Sequence, residues 1–540
     1  MRIHRTGIFH AYVLAIAAMG RAGAQDVFKF PGCSDVTKAN FTKVALVDKT
    51  KNPDLDEPIR FAVAGDGSIY FAERSGGLKV MKPNGTIVKL GRVPSWPTDA
   101  PLKKNGSNEL GLTGLALDPD FANNHQLYVD YEPVSPDVMN ISRFTLNGDA
   151  LDPASEKILL SFPMQKNYCC HSGGSMQFDS KGDLWISVGN NTRNPANDQG
   201  YIDEAVPDGD DQGHAANTND YRGKILRIHP TPDGKYTVPA GNLKEVYASL
   251  WDAAGLAKVK PEIYTMGHRN PYTLSVDSFK GLLMWGDVGP DDGWETEEFN
   301  LVAKPGFMGW PYFAGAAGNP HYKYKLDKDP AAPTNLSKNN SGVQNLPPAQ
   351  GATIGYGQSA AVTGPIYRYS PAQTYAKKLP PHFDGKWFIA EFNQGWIHIA
   401  TLDASGTRIS ETKSLMTGLI RPLQVTIGPD GALYTLEYAN NFFVTDGATR
   451  IARWDYTGSS CTAVSLADQA PASGAEKMNV WAIGLGGRGG FVLPAGARTA
   501  RLIDLQGRVA WEIHLPAQAP RRQAVPASVA PGLYRIRFGN

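Results

Sequence analysis

The stretch FAVAGDGSIYFAER (residues 61–74) combines an apolar run, an Asp-Gly turn and a second strand rich in aromatic and β-branched residues. The pattern recurs five times, as LGLTGLALDPDFANNHQLYVDYE (110–132), MQFDSKGDLWISVGN (176–190), LSVDSFKGLLMWGDVG (274–289), FDGKWFIAEFNQGWIHIATLD (383–403) and VTIGPDGALYTLEY (425–438). Each copy predicts a β-hairpin, because its apolar residues alternate with the period of half-buried strands. Six irregularly spaced hairpins predict an all-β fold, a six-bladed β-propeller, with function in the loops around its central channel.

The first 24 residues have the organisation of a signal peptide. Two arginines precede an apolar run from Ala11 to Met19, and Ala22-Gly23-Ala24 offers an A-x-A cleavage site. The apolar run is too short to span a bilayer, and no later segment approaches about 18 uninterrupted apolar residues. We therefore expect a secreted protein, mature from about Gln25, with no transmembrane segment.

The remaining chain divides into three parts by composition. Residues 25–457 contain the hairpins, residues 458–475 are rich in Ser, Ala and Gly like a linker, and residues 476–540 have short alternating strands. The last part predicts a small C-terminal β-sandwich, and it resembles the sorting domain of type IX secretion substrates. A carbohydrate-binding or cell-surface module is the alternative.

Charge and motif content exclude several classes of function. The net charge is +1 without clustered Lys and Arg, so nucleic acid is not an expected partner. The chain has no Cys-x-x-Cys-His haem motif and no Gly-x-Ser-x-Gly nucleophile elbow, and no Gly-rich dinucleotide motif opens a βαβ unit.

Several short motifs lie in or beside the predicted strands. They are CCHSGG (169–174), PEIYTMGHRNPYTLSVD (261–277), WGDVGPDDGWETEEFN (285–300), MGWPYFAG (308–315) and IRPLQVTIGPDGALYTLEY (420–438). In this order, they resemble the glucose/sorbosone dehydrogenase family, the soluble sugar dehydrogenases that depend on pyrroloquinoline quinone (PQQ). The resemblance covers about residues 61–454. It implies a calcium-dependent enzyme that oxidises an aldose or related sugar by hydride transfer to PQQ and passes the electrons to an external acceptor.

The resemblance also assigns roles to single residues. The family residue that matches His171 takes the proton of the sugar hydroxyl, which suits a side chain with a pKa near neutrality. Arg269 matches the arginine that polarises the quinone, and Asn270 beside it offers an amide to cofactor oxygens. Matching positions place Glu109 on the sugar and Arg421 on a cofactor carboxylate.

The same resemblance points to a calcium site. The backbone carbonyls of Gly289 and Pro290 and the carboxylates of Asp291 and Glu298 are hard oxygen ligands. They suit Ca²⁺ better than Zn²⁺, which prefers Cys and His.

Three positions depart from the family pattern. Leu423 stands where the family has a second arginine, and Asn393 stands where it has a PQQ-binding lysine. Asn190 completes the expected catalytic set as the group that orients His171, although the family has a carboxylate there. We expect fewer cations around the cofactor, and we expect Asn190→Asp to raise turnover unless a carboxylate such as Asp183 already contacts His171.

These departures keep a second function open, a propeller that binds a glycan or a protein without catalysis. A calcium-dependent lactonase is a third, which rests on the shared six-bladed architecture alone.

The four cysteines predict disulfides in an exported protein. Cys33 precedes the first hairpin and Cys461 follows the last, whereas Cys169 and Cys170 are adjacent. Three connectivities are possible, and we favour Cys33–Cys461, which would tie the ends of the propeller together, with Cys169–Cys170. Peptide mapping of the exported protein under non-reducing conditions should recover both pairs. Free thiols at residues 169 and 170 would contradict the adjacent pair.

Overall fold

The computed structural model describes residues 36–96, 109–168, 170–192, 201–290, 296–324, 326–357, 360–403, 406 and 408–458, and six strands between 479 and 539. The signal peptide, the linker, Asp291 and three of the four cysteines lie outside the described residues. Cys170 is disulfide-bonded. The pairing of the cysteines therefore stays a prediction.

The described chain forms a six-bladed β-propeller, which confirms the predicted fold class. The first strand, β1 (Phe41–Asp48), belongs to the last blade. Blade 1 comprises β2 (Pro58–Val63), β3 (Ile69–Glu73), β4 (Gly77–Met81) and β5 (Ile87–Arg92). Blade 2 comprises β6 (Leu112–Leu117), β7 (Gln126–Tyr131), β8 (Val138–Asn147) and β9 (Ala150–Pro163), with helix α1 (Phe121–Asn124) between β6 and β7.

Blade 3 carries extra strands and turns. It comprises β10 (Gly173–Phe178), β11 (Leu184–Val188), β12 (Lys224–Pro230), β13 (Tyr236–Thr237), β14 (Ile263–Met266) and β18 (Gly306–Phe307). Two short helices, α2 (Leu243–Val246) and α3 (Ala253–Leu256), precede β14. Single 3-10 turns lie at Lys38–Asn40, Pro207–Gly209, Ala248–Leu250 and Pro381–Phe383.

Three four-stranded sheets complete the ring. Blade 4 is β15 (Thr273–Asp277), β16 (Leu282–Asp287), β17 (Glu297–Val302) and β19 (Ile354–Tyr356). Blade 5 is β20 (Ala361–Ile366), β21 (Lys386–Glu391), β22 (Trp396–Leu402) and β23 (Ile409–Met416). Blade 6 is β24 (Pro422–Ile427), β25 (Leu433–Glu437), β26 (Arg450–Tyr456) and β1.

The C-terminal part contains two further sheets. They consist of β27 (Asn479–Ile483), β28 (Gly490–Val492), β29 (Thr499–Asp504), β30 (Val509–His514), β31 (Arg522–Ala524) and β32 (Gly532–Gly539). The order is β27-β32-β29-β30 in one sheet and β28-β31 in the other. The sandwich arrangement and the sorting role stay predictions. Within the described residues, no helix is long and apolar enough to cross a membrane.

The six repeats correspond to hairpins, but not all to the same hairpin of a blade. Five copies form the first and second strands of their blades, whereas 383–403 forms the second and third strands of blade 5. The first strands β2, β6, β10, β15, β20 and β24 contact one another around the ring and enclose the channel. Their N-terminal ends therefore meet at one end of the propeller.

The ring closes through the antiparallel pairing of β1 with β26, from Phe41 opposite Tyr456 to Asp48 opposite Arg450. Phe41 is buried, and its ring centroid lies 6.3 Å from that of Phe383 and 5.3 Å from that of Tyr456. The first and last strands of the propeller therefore share one core.

Phe41→Ala should reduce the free energy of unfolding by about 3 kcal/mol, because it leaves a cavity where the ring closes. Urea unfolding followed by tryptophan fluorescence measures the change. The control is Thr42→Ala on the exposed face of the same strand. Equal stability of the two variants would mean that β1 does not hold the ring together.

Glu132, directly after β7, is a fully buried carboxyl group. Its Oε2 accepts a hydrogen bond from the Gly111 N–H at 2.9 Å, and burial raises the pKa of Glu132 to about 7. The folded protein therefore holds this proton more tightly than the unfolded chain between about pH 4.5 and pH 7.

The stabilisation from this proton is complete below about pH 4.5 and is lost as the pH rises through 7. Glu132→Gln has no such proton. Wild type should therefore lose up to about 3 kcal/mol of unfolding free energy relative to Glu132→Gln between pH 4.5 and pH 8. Urea titrations at both pH values measure this difference, and a pH-independent difference would contradict the buried protonated state.

Candidate active site

A cavity of about 320 Å³ lies where the six first strands begin. Each blade contributes to its wall near the N-terminal end of that strand, through Ile59, Thr113, Gly173, Tyr272, Val362 and Leu423. A second cavity, of about 300 Å³, follows the channel along the same six strands. The first cavity contains His171, Arg269, Asn270 and Glu109, so the structure brings four of the predicted site residues together.

Two glycines fix the position of His171. Gly173 and Gly174 have φ angles of +77° and +95°, which favour glycine. A Cβ on Gly173 would lie 2.7 Å from the Gly189 nitrogen, and one on Gly174 would lie 2.6 Å from the Thr113 carbonyl oxygen. Gly173 therefore lets β10 approach the end of β11 within blade 3, and Gly174 lets blade 3 approach blade 2, with His171 just before the innermost strand.

His171 contacts Asn190, the residue expected to orient it. Its Nδ1 lies 2.7 Å from Asn190 Oδ1, and the Asn190 N–H donates to the Arg269 carbonyl oxygen at 2.8 Å. Burial, together with the Arg269 guanidinium, lowers the pKa of His171 well below its ordinary value. The imidazole is therefore neutral at neutral pH and can accept a proton at Nε2. Asp183 is not the orienting carboxylate, because its Oδ1 lies 2.9 Å from Nδ1 of His229.

Arg269 is held at the cavity wall by neutral oxygen atoms. Its Nη2 donates to the Tyr201 hydroxyl at 2.9 Å, and its Nη1 donates to the Val288 carbonyl at 2.9 Å. Arg269 is 3% exposed, so a rigid positive charge lies beside His171. The neighbouring Asn270 is fixed by its N–H, which donates to Asp287 at 2.7 Å, while its buried Oδ1 has no hydrogen-bond partner among the described residues.

Acidic groups form another part of the wall. Burial raises the pKa of Glu109 to about 7, although Arg269 and Arg74 oppose the shift. Arg74 forms a buried two-point ion pair with Glu57, at 2.9 and 2.7 Å, and Glu57 also accepts a hydrogen bond from the Tyr438 hydroxyl. Arg74 therefore contributes a charge that Glu57 largely neutralises.

Arg421 lies next to the cavity. This residue is not part of the cavity wall. Its guanidinium donates to the carbonyl oxygens of Ala439 and Asn440 and lies 4.5 Å from the ring centroid of Phe442, which does line the cavity. Arg421 thus supports an aromatic wall of the cavity, and its contact with a cofactor carboxylate stays a prediction. The neutral residues Asn393 and Leu423 line the cavity.

Glu298 lies in β17, and its role as a calcium ligand stays a prediction. Its Oε1 accepts from the Gly315 N–H at 2.7 Å and its Oε2 accepts from Asn300 at 2.9 Å, and it does not line the cavity. Each oxygen therefore already accepts one hydrogen bond, one from blade 4 and one from the segment between β18 and β19. Asp291 lies outside the described residues. In the described part of the chain, no three His, Cys, Asp or Glu side chains are arranged to hold a metal ion. The Gly289 and Pro290 carbonyls stay predicted ligands.

Sequence reasoning missed the group behind Asn190. Asn190 Nδ2 donates to Oδ2 of Asp211 at 2.7 Å, and Asp211 lies in the insertion between β11 and β12. The only sequence signal was an Asp-Asp pair at 210–211, which is common in solvated loops.

Comparisons with known proteins agree with this geometry. The profile of the glucose/sorbosone dehydrogenase family matches residues 55–443. Quinoprotein glucose dehydrogenase B of Acinetobacter calcoaceticus is 28% identical over 304 residues, which are 53% of this chain and 55% of that protein. The match thus spans about half the length of that relative. Aldose sugar dehydrogenase YliI of Escherichia coli is 24% identical over 341 residues, 60% of this chain and 74% of that protein.

A solved structure shows the same fold. It is from Thermus thermophilus and is described as an oxidoreductase (glucose dehydrogenase). It superposes with a TM-score of 0.54 at 21% identity, covering 77% of this chain and 99% of that one. The family profile covers well over half of this chain and nearly the whole propeller, from before β2 to beyond β25. The chain therefore belongs to the glucose/sorbosone dehydrogenase family.

Proposed function

We propose that this protein is a PQQ- and calcium-dependent dehydrogenase that oxidises an aldose or related sugar and passes the electrons to an external acceptor. The observation that carries the proposal is the pairing of His171 with Arg269 in the cavity. A neutral imidazole held through Nδ1 by Asn190 lies beside a fixed guanidinium. A base next to a cation suits proton abstraction from a hydroxyl while negative charge develops on a neighbouring oxygen.

The residues of the cavity fit one end of PQQ better than the other. Arg269 and Asn270 would hold the quinone end, and the Asn270 Oδ1 that lacks a partner is a buried polar atom available to a ligand. Phe392, Phe442 and Tyr438 offer apolar surface to a planar ring system. At the other end, Leu423 and Asn393 provide no charge, so we expect weaker binding of the cofactor carboxylates than in relatives that have cations there.

When bound, PQQ supplies a two-electron acceptor for the hydride that leaves the sugar carbon. His171 accepts the hydroxyl proton at Nε2, and its Nδ1 proton stays on the Asn190 hydrogen bond. Arg269 stabilises negative charge at the cofactor oxygen. Glu109, which is half protonated near neutrality, offers either an O–H donor or an acceptor to the sugar.

Two finer parts of the proposal rest on the sequence. Calcium would be bound by the Gly289 and Pro290 carbonyls, which follow the Val288 carbonyl that anchors Arg269. Secretion rests on residues 1–24, with their basic start, short apolar run and cleavage site.

The test is spectral and kinetic. Adding PQQ and Ca²⁺ to the protein should change the quinone absorbance, and sugars should bleach it and reduce an artificial dye. A protein that gives no PQQ-dependent spectral change would instead fit the binding propeller without catalysis. In that case sugar binding without oxidation, measured by calorimetry, would identify a glycan ligand.

His171→Ala should lower kcat at least about 100-fold, because general base catalysis contributes factors of this size. The matched control is His229→Ala, since His229 also pairs with a side chain through Nδ1 but lies outside the cavity. The control should keep wild-type kcat, and both variants should keep the wild-type unfolding midpoint. An unchanged kcat in His171→Ala would remove the base assignment.

A further inference from the structure

Behind the candidate base lies a buried chain of three side chains, which ends on a carboxylate. His171 contacts Asn190, and Asn190 contacts Asp211, each at 2.7 Å. Asn190 and Asp211 are fully buried, and His171 is 5% exposed. Among the described residues, Asp211 is the carboxylate that hydrogen-bonds to the Asn190 side chain.

The donors around Asp211 fix the orientation of the Asn190 amide. Trp310 Nε1 donates to Asp211 Oδ2 at 2.5 Å, and the Thr192 hydroxyl donates to Oδ1. A carboxylate in this setting accepts hydrogen bonds, so Asn190 must turn its NH₂ group toward Asp211. The Asn190 oxygen then faces His171 and also accepts from the Thr192 N–H at 3.3 Å. His171 can satisfy that oxygen only as a donor, so its proton lies on Nδ1 and its Nε2 lone pair is free for the substrate.

We infer that Asp211 is the positioning residue of this site, which acts on His171 through the Asn190 amide. Its hydrogen bonds fix the tautomer of His171, and its negative charge supports the imidazolium that forms when Nε2 takes a proton. No proton moves to Asn190 or Asp211. The inference rests on the proposed function for its catalytic consequence, but the hydrogen-bonded chain can be tested in protein without cofactor.

The charge on Asp211 changes near neutral pH. Burial raises the pKa of Asp211 to about 7, against the hydrogen bonds from Thr192, Trp310 and Asn190, and Asp210 raises it further. Asp211 is therefore charged above about pH 7 and neutral below it, so its support for His171 is gained as the pH rises.

Other titratable groups face this chain and must be separated from it. They are Asp210, His214, Arg222 and Lys224 near Asp211, and Arg269 near His171. Burial lowers the pKa of His214 to about 3, so His214 is neutral here. Burial also lowers the pKa of Lys224 to about 7, so Lys224 titrates in the same window as Asp211.

Asp211→Asn removes the charge and keeps the shape. An oxygen of the new amide can still accept from Trp310 and Asn190, and its NH₂ can donate to Thr192. We expect kcat of wild type to rise through a step near pH 7, and we expect Asp211→Asn to lack this step and to be about tenfold slower above pH 8. A step that persists in Asp211→Asn would belong to another group, Lys224 or Glu109, whose pKa values are also about 7, and would overturn the inference.

Thr192→Val is the matched control, because it keeps the carboxylate and removes one donor that lowers its pKa. The rise in kcat should move to higher pH in this variant, whereas a rise caused by the titration of Lys224 should not move. An unmoved step would also overturn the inference.

Asn190→Asp tests the role of charge by placing a second carboxylate next to Asp211. The new carboxylate would lie at about the present 2.7 Å contact from Asp211, so the two groups would share a proton. The variant should therefore not exceed wild type, which replaces the rise in turnover expected from the sequence alone. The double variant Asn190→Asp with Asp211→Asn has one carboxylate directly on His171 and should recover at least the wild-type rate. Failure of the double variant to exceed Asp211→Asn would count against an electrostatic role.

A readout without cofactor keeps this inference separate from the proposed function. In protein labelled with ¹⁵N-histidine, the His171 Nδ1–H signal should shift with pH through a midpoint near 7 in wild type and should not shift in Asp211→Asn. His171→Gln assigns the signal. A wild-type shift without any PQQ-dependent rate would reject the dehydrogenase and retain the hydrogen-bonded chain. A signal that is identical in wild type and Asp211→Asn would reject the chain.

Discussion

Ring closure by β1 and β26 is the constraint on which the site depends. The cavity takes residues from all six blades, so its geometry exists only when blade 6 is fixed against blade 1. Two sets of hydrogen bonds connect blade 6 to the residues at the start of blade 1, next to the cavity. Gln424 bonds to both the N–H and the carbonyl of Phe61, at 3.0 and 2.9 Å, and the Glu57 N–H donates to Thr445 at 2.6 Å. The Glu57 carboxylate also pairs with Arg74. The contacts that hold blade 6 against blade 1 therefore also position charged groups of the cavity wall.

Charge in the cavity is arranged to keep the base neutral. Arg269 lies beside His171, where it donates to the Tyr201 hydroxyl and the Val288 carbonyl. That positive charge adds to burial in lowering the pKa of His171. A low pKa keeps Nε2 available at neutral pH but makes it a weaker proton acceptor. A negative group behind Asn190 compensates for this weakness without entering the cavity.

The sequence predicted those features that depend on local pattern. Each hairpin is encoded within about 20 residues, so six blades and the family could be inferred. The pairing of Phe41 with Tyr456 could not, because it joins strands more than 400 positions apart. The neighbours of Glu298 could not be predicted for a related reason. It follows Gly289 closely in sequence, but in β17 it pairs opposite Asp287 and bonds to Gly315, which comes from a later insertion. Asp211 was missed because Trp310, one of its donors, lies 99 residues away.

The residue at position 190 and the carboxylate at position 211 must be considered together. Taken alone, Asn190 looks like the loss of a charged partner for His171. In the structure the charge is present one hydrogen bond further from the cavity, in a pocket closed by Thr192 and Trp310. Two adjacent buried carboxylates cannot both ionise, so a neutral donor and acceptor between His171 and Asp211 is what the arrangement requires. An amide meets both needs, since it accepts from the imidazole and donates to the carboxylate, and Asn190 is therefore part of the same polar chain rather than a defect in it.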